Sequence, residues 1–347
     1  MSKIYNIAQH LTQRKLLITI HVKRELKKMK QQILQLVVCS ILLIFTTSVQ
    51  ANEPPASGFS GMIQAGGVII QTNSQLEPDD DNRTIHSLNE NEDSFEKYYP
   101  FVIFDFRLKL DSGTEFYCNT PFEDEDTGIA AGIAQASEFG KLDIYGYYGL
   151  ESEVWQDPYI TNVPRSETDI STYGGGFKLD RIMESEFSFE YKFRIKDVDK
   201  DVIGNRFLDL KRDGSFHKFG LKYGFRLGNS MIIPNIAYIL GNFDGDANSY
   251  DNISSGLSYM KMTRNYMIKI GIDCGFTTYG KKHPIFSKDR EDVAYGVMGM
   301  FSWLNPFHLN NFSINFMGGA KTTESNIDFY DTDNIFTGIT IGYTFGR

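Results

Sequence analysis

Phe187-Ser188-Phe189-Glu190-Tyr191-Lys192-Phe193-Arg194-Ile195-Lys196 alternates without a break. The odd positions carry Phe, Phe, Tyr, Phe and Ile; the even ones carry Ser, Glu, Lys, Arg and Lys. Successive side chains of an extended chain point to opposite faces, whereas a helix would gather i, i+3 and i+4. The stretch therefore reads as a β-strand with one apolar and one charged face. Lys218 to Leu227 repeats the pattern, with Phe219, Leu221, Tyr223, Phe225 and Leu227 against Lys218, Gly220, Lys222, Gly224 and Arg226. In a soluble sandwich the apolar face would meet a core and the polar face water. In a membrane barrel it would meet lipid, with the polar face lining the lumen.

Connections decide between the two. Fourteen alternating segments begin near Phe59, Phe101, Thr114, Ile129, Leu142, Tyr173, Phe187, Lys218, Ile232, Ile253, Tyr266, Val293, Phe312 and Ile335. Short links (Asp111–Gly113, Glu138–Lys141, Arg181–Glu186, Gly228–Ser230, Thr263–Asn265, Asn305–Asn311) alternate with long ones (Leu76–Tyr99, Ser152–Ser171, Asp197–Ser215, Gly241–Asp251, Gly280–Asp292, Lys321–Asn334). Greek-key connections would scatter long links over both ends. Tight turns at one end and long loops at the other predict an all-β, antiparallel up-and-down transmembrane barrel, with periplasmic turns and outer loops. Fourteen strands put both chain ends on the periplasmic side, with twelve as the alternative count.

Two resemblances agree. Thr337-Gly-Ile-Thr-Ile341-Gly-Tyr343-Thr-Phe345 resembles the closing strand of bacterial outer-membrane barrels, although Gly346 and Arg347 follow the terminal aromatic. That likeness implies an encounter with the barrel-assembly machinery through this strand. Gly58-Phe-Ser-Gly61, Val154-Trp-Gln-Asp-Pro-Tyr159 with Arg165-Ser-Glu-Thr-Asp169, and Leu210-Lys-Arg-Asp-Gly214 resemble the uncharacterised domain-of-unknown-function family DUF2860. The resemblance covers nearly the whole chain after residue 51 and implies an outer-membrane barrel, with no activity or catalytic residues to carry over.

The start of the chain reads differently. Ile33–Val49 is apolar, follows Lys27, Lys28 and Lys30, and leads into Val49-Gln50-Ala51. A basic head, a short apolar core and an A-x-A-like end predict a signal peptide over residues 29–51, cleaved after Ala51. Gln35 and Thr46-Thr47-Ser48 leave too short a core for a membrane-spanning helix, and Val38 does not suit a lipidated Cys39. Residues 1–28 are expected to be a misassigned start or extension, with translation beginning at Met29. The barrel is expected to occupy residues 52–347.

Composition fits this division. The 347 residues are 41% hydrophobic and 14% aromatic, with three Cys and a net charge of −9. Such a chain is neither a disordered polymer nor a disulfide scaffold. Removing the eight Lys/Arg and one Glu of residues 1–51 from 35 and 44 leaves 27 basic and 43 acidic residues, a net charge of −16. That balance argues against a nucleic-acid partner. Much of the acidity lies in predicted outer loops, at Glu77-Pro-Asp79-Asp80-Asp81, Glu123–Asp126 and Asp328–Asp333. Such runs could hold divalent cations among surface lipopolysaccharide, since hard cations take several carboxylate oxygens, but solvated acidic loops are the commoner case. Asp244-x-Asp246-x-Asn248 starts like a calcium loop but lacks the required Gly and closing Glu, so no metal or cofactor is expected.

The alternation places Lys178, Lys192, Arg194, Lys196, Lys218, Lys222 and Arg226 on the lumen face of three neighbouring strands, against only Asp180 and Glu190. One wall of an acidic protein is thus basic. Charged stripes at close quarters set ion selectivity, so the leading expectation is a passive, porin-like channel for small, anion-leaning solutes in the outer membrane of a Gram-negative bacterium. The alternatives are a non-conducting surface barrel whose loops bind a partner or cations, and a soluble periplasmic ligand-binding barrel. Trp155 and Tyr159, in a long loop, are the candidate ligand contacts. Ser215 and His217 share a face, but no third group completes a hydrolytic site, so no enzyme is expected. Cys118 and Cys274 fall on apolar faces of distant strands, too far apart for a disulfide.

Overall fold

The computed structural model describes residues 57–89, 94–121, 127–150 and 152–346. The expected leader, its cleavage point at Ala51 and the Glu123–Asp126 run lie outside the described residues.

Sixteen strand segments follow in chain order: β1 (Gly58–Asn73), β2 (Ser94–Lys109), β3 (Glu115–Asn119), β4 (Gly128–Ser137), β5 (Gly140–Gly149), β6 (Ser152–Trp155), β7 (Glu167–Asp180), β8 (Phe187–Val198), β9 (Gly214–Tyr223), β10 (Phe225–Leu227), β11 (Ser230–Phe243), β12 (Tyr250–Met262), β13 (Tyr266–Tyr279), β14 (Glu291–Leu304), β15 (Phe312–Ser325) and β16 (Thr332–Phe345). Each pairs antiparallel with its neighbour, and β16 closes on β1 from Gly61↔Phe345 to Asn73↔Asp333. Two segments are not separate staves. β6 pairs only with the outer end of β7, and β9 and β10 both lie along β11. Their ladder breaks opposite Pro234, which has no N–H to donate. Among the described residues the wall is therefore a closed barrel of fourteen strands.

Stepping across each ladder from Ala65 and once round the ring returns to β1 at position 81, a shear of sixteen residues. With strands about 4.8 Å apart and a rise of about 3.3 Å per residue, that shear tilts the strands by about 38° and gives a radius of about 14 Å.

Register assigns the faces. Phe59, Ile63 and Ile69 of β1, Ile253, Leu257 and Tyr259 of β12, and Ile335, Ile339 and Ile341 of β16 all point outward and are exposed. Such a continuous apolar wall far exceeds the patches that soluble proteins leave in water and requires lipid around it. Cys118 and Cys274 share this outer face and are free thiols. At one end turns are tight, as at Gly228, whose φ of 61° suits a residue without a Cβ. At the other end two long loops are shorter than the alternation implied. β2 extends back to Ser94, and β6 pairs with β7 from Ser152↔Ile170. Beyond the apolar band the strands continue through polar residues, because ladder hydrogen bonds do not depend on side-chain hydropathy.

Candidate functional site: lumen wall and outer cap

The basic stripe is where the alternation puts it, on the inward faces of β7, β8 and β9. Its residues differ in posture. Tyr147 of β5, Gly174 of β7 and Arg194 of β8 are consecutive cross-strand partners. A Cβ at 174 would collide with the Phe193 carbonyl oxygen. The space left by its absence lets the Arg194 guanidinium lie 3.7 Å over the Tyr147 ring. Arg194 is thereby 2% exposed, part of the wall itself. Tyr145, Gly176 and Lys192 repeat the arrangement one step along, with Tyr145 leaning over Gly176. Lys192 pairs with Glu190 at 3.4 Å, and Lys178 with Asp180 at 2.9 Å. Lys218 stands directly across from Lys192, Lys222 across from Ser188, and Lys196 over the Phe216 ring at 5.8 Å. Arg226 sits at the rim where the tight turns lie, bound to Glu186 at 2.7 Å and largely exposed.

Next to this stripe the charges balance. Arg107 bridges Asp105 and Glu115, Glu115 also takes Lys141, and the Tyr117 hydroxyl donates to Asp143 at 2.6 Å. Half the circumference away, on β15, β16 and β1, the inward side chains are uncharged apart from Lys321. There the Asn315 amide donates to Thr340 and Gln64, and Thr340 donates to Gln64. Across the barrel, a wall with a cluster of positive charges faces one that carries only Lys321.

Over the outer mouth the long loops interlock. The loop from β5 to β7 and that from β13 to β14 leave the ring on nearly opposite sides of a barrel about 28 Å across. Yet Tyr159 of the first meets His283 of the second, hydroxyl to Nε2, at 3.2 Å. Tyr330, from the loop between β15 and β16, reaches the same Nε2 at 2.8 Å and bonds Tyr159. Ile85, Ile327, Phe329 and Tyr330 form a buried core here, with Tyr159 and Phe286 packed on it. A second core holds Ile203 of the short helix α1 (Val202–Arg206), Leu210 and Ala247, again with Tyr159 alongside. Loops from opposite sides of the ring thus contact one another.

Polar clamps tie the cap. Arg165, 1% exposed, donates to the carbonyls of Gln75 and Pro158 at 2.8 and 3.0 Å and to that of Asn82, and stacks 4.4 Å over Trp155. Burial without a carboxylate pulls it down to about 10, still cationic at neutral pH. Arg212 pairs with Asp201 and donates to Trp155 and Gln156 carbonyls. Lys281 reaches Asp209 at 2.8 Å. Arg290 lies 3.4 Å over the Tyr330 ring and pairs with Asp292. Burial, with the Arg290 charge second, pulls His283 down to about 4. Asn248 spends its amide on the Leu210 and Lys211 carbonyls, so the calcium-like run docks a loop.

The two loop aromatics expected to meet a ligand are thus inside the cap. Trp155 is 1% exposed beneath Arg165, and Tyr159 is half-buried in the hydroxyl–imidazole cluster. Ser215 and His217 face outward at the outer end of β9, where His217 Nδ1 meets the Tyr191 hydroxyl at 2.8 Å. No pattern in the sequence marks His283, Tyr330 and Arg165 as cap residues. The signal for a cap is the apolar content of supposedly solvated loops: Ile85, Ile203, Leu210, Ile285, Phe286, Ile327 and Phe329.

The family model described as protein of unknown function (DUF2860) matches residues 58–344. No curated protein matches the chain. Similar solved structures include an anion-selective porin from Comamonas acidovorans, with 8% identity over 84% of this chain and 100% of that one at a TM-score of 0.40. The outer membrane channel DcaP of Acinetobacter baumannii gives 8% identity over 86% and 100% at 0.42. A loop-deleted OmpT, an outer membrane protein of Vibrio cholerae, gives 8% over 82% and 99% at 0.41. Similarity at this level assigns the chain neither solute nor selectivity.

Proposed function

The chain belongs to the DUF2860 family, and we propose that it is an outer-membrane, loop-capped channel passing small anionic solutes along the basic wall of β7 to β9. The observation that carries this reading is the charge imbalance of that wall. Lys178, Lys192, Arg194, Lys196, Lys218 and Lys222 face the lumen with only Asp180 and Glu190 among them. Inside a low-dielectric barrel such an excess raises the local concentration of anions whatever the individual pairings. The apolar outer wall supports residence in a bilayer, and strand asymmetry supports turns in the periplasm with the cap outside, towards lipopolysaccharide. The Thr337–Phe345 strand, which ends in an aromatic and closes the ring, is the segment we assign to the assembly machinery. We assign no catalytic role: His217 faces lipid, bonded to Tyr191.

Conductance in planar bilayers tests the proposal. In a salt gradient, purified protein should open and give a reversal potential of the sign expected for anion preference. A cation-signed potential would overturn the selectivity. The loops crossing the mouth favour a second reading, a sealed barrel that presents its cap to a partner. Absence of openings both in the native chain and in a variant with the cap loosened at Arg165 would establish that one and remove the channel.

A further inference from the structure

We infer that His283 is an acid-sensitive latch: the closed cap requires its imidazole neutral, and protonation releases the loops from one another. The hydrogen bonds carry this. Nδ1 lies 3.2 Å from the Ile285 amide nitrogen and 3.4 Å from that of Phe286. Backbone amides only donate, so Nδ1 is the acceptor and holds no proton. The proton of the neutral ring is then on Nε2, where Tyr330 and Tyr159 supply oxygens at 2.8 and 3.2 Å. Every polar atom of the ring is satisfied in that one form. A second proton on Nδ1 would point at two N–H groups and strip both of their acceptor.

Among the described residues, no carboxylate is hydrogen-bonded to or stacked on the ring. From its own loop come Lys281, Lys282, Lys288 and Arg290; Lys281 is bound to Asp209, and Lys288 donates to the Asn326 carbonyl. Arg290 stacks on Tyr330 and on Tyr279 of β13, and its partner is Asp292 of β14, whose carboxylate is thereby committed. The β5–β7 loop contributes Tyr159, whose amide bonds Asp157, itself paired with Arg206. The β15–β16 loop contributes Tyr330 and Phe329, with Asp328 and Asp331 next to them in the chain, and the described part of the β1–β2 loop contributes Ile85, Leu76 and Leu88. Burial and the nearby Arg290 charge hold His283 well below its ordinary 6.5, at about 4.

The sign follows. A group depressed in the closed cap takes its proton first in the open one, so acid favours opening. Closure is fully supported above about pH 6.5 and weakens as pH falls towards about 4, by a factor on the order of a hundred in the opening equilibrium. This concerns the cap alone and holds whether or not the barrel conducts, so it fails independently of the channel reading.

The chain has two tryptophans, Trp155 inside the cap and Trp303 on the outer wall, so W303F leaves one reporter. In that background, acrylamide quenching of Trp155 in the full detergent-folded chain should rise severalfold between pH 7 and 4, and be flat in H283Q. Gln keeps an acceptor and a donor but does not titrate. Unchanged quenching from pH 7 to 4, or the same midpoint with and without His283, would overturn the latch. Should H283Q be open already at pH 7, proton titration of the native ring by NMR decides. A midpoint below 5 that coincides with Trp155 exposure upholds the inference, and a midpoint near 6.5 with the cap still closed overturns it.

Discussion

Arg165→Met should open the cap while leaving the barrel intact. The guanidinium donates to three carbonyls, on Gln75, Asn82 and Pro158, and covers the Trp155 ring. Methionine matches much of the stem but offers no donor. Three buried carbonyls then lose their partner, at about 1 kcal/mol each or more, and the stacking contact contributes about 1 kcal/mol. Against this, the native side chain is a cation buried without a carboxylate, and removing it recovers part of that desolvation. The net cost is about 3 kcal/mol, all of it in loop–loop attachment. An opening equilibrium weakened by that amount speeds exchange of amides protected only by the cap by about a hundredfold.

Native-state hydrogen exchange with peptide-level readout is the assay. Segments 74–88 and 155–166 should exchange about a hundredfold faster in Arg165→Met, with β12 and β13 unchanged. Arg165→Lys, which keeps the charge but loses the planar fork, should fall between. Loop rates within about threefold of the native chain would refute the reasoning: Arg165 would then be a passenger in a cap held by its apolar cores. Acceleration throughout the barrel would refute it differently, by showing that cap and wall unfold as one unit.

Three further outcomes follow from the wall. Gly174→Val drives a side chain into the Phe193 carbonyl and the Arg194 backbone. It should cost about 3 kcal/mol and lower the yield of heat-modifiable folded barrel on gels. Replacing Lys218 and Lys222 together by Glu turns six basic and two acidic lumen residues on β7 to β9 into four of each, so the reversal potential in a salt gradient should collapse towards zero. Phe345→Ala removes a ring packed against Phe59 and Phe106 where β16 meets β1. It should slow assembly into membranes more than it lowers the melting temperature of the folded barrel, as measured by pulse-chase and by thermal gel shift.

How far the sequence could be read depends on which interaction fixes each part. Around the wall, lipid on one side and lumen on the other impose a period of two on every strand, and a one-residue slip would turn Phe189, Tyr191 and Phe193 into the lumen. The pattern is therefore redundant over fourteen strands, and face, order and lumen residues such as Lys192 and Lys218 are legible locally. Even there, posture is not. That Arg194 lies flat on Tyr147 follows from Gly174 standing between them on a third strand, a coincidence of two registers that no single segment contains. The cap carries no period at all. Tyr159, His283 and Tyr330 come from loops up to 171 residues apart in sequence, and each loop taken alone is a polar connection with one or two apolar residues. Those residues are few because the cap core is small, and they acquire meaning only once the strands have set six loops around one ring. The wall is thus written in each strand, whereas the cap is written in the closure of the barrel. A substitution in a strand is accordingly felt where it is made, while one at Arg165 or His283 is felt by loops that share nothing with it but the mouth they cover.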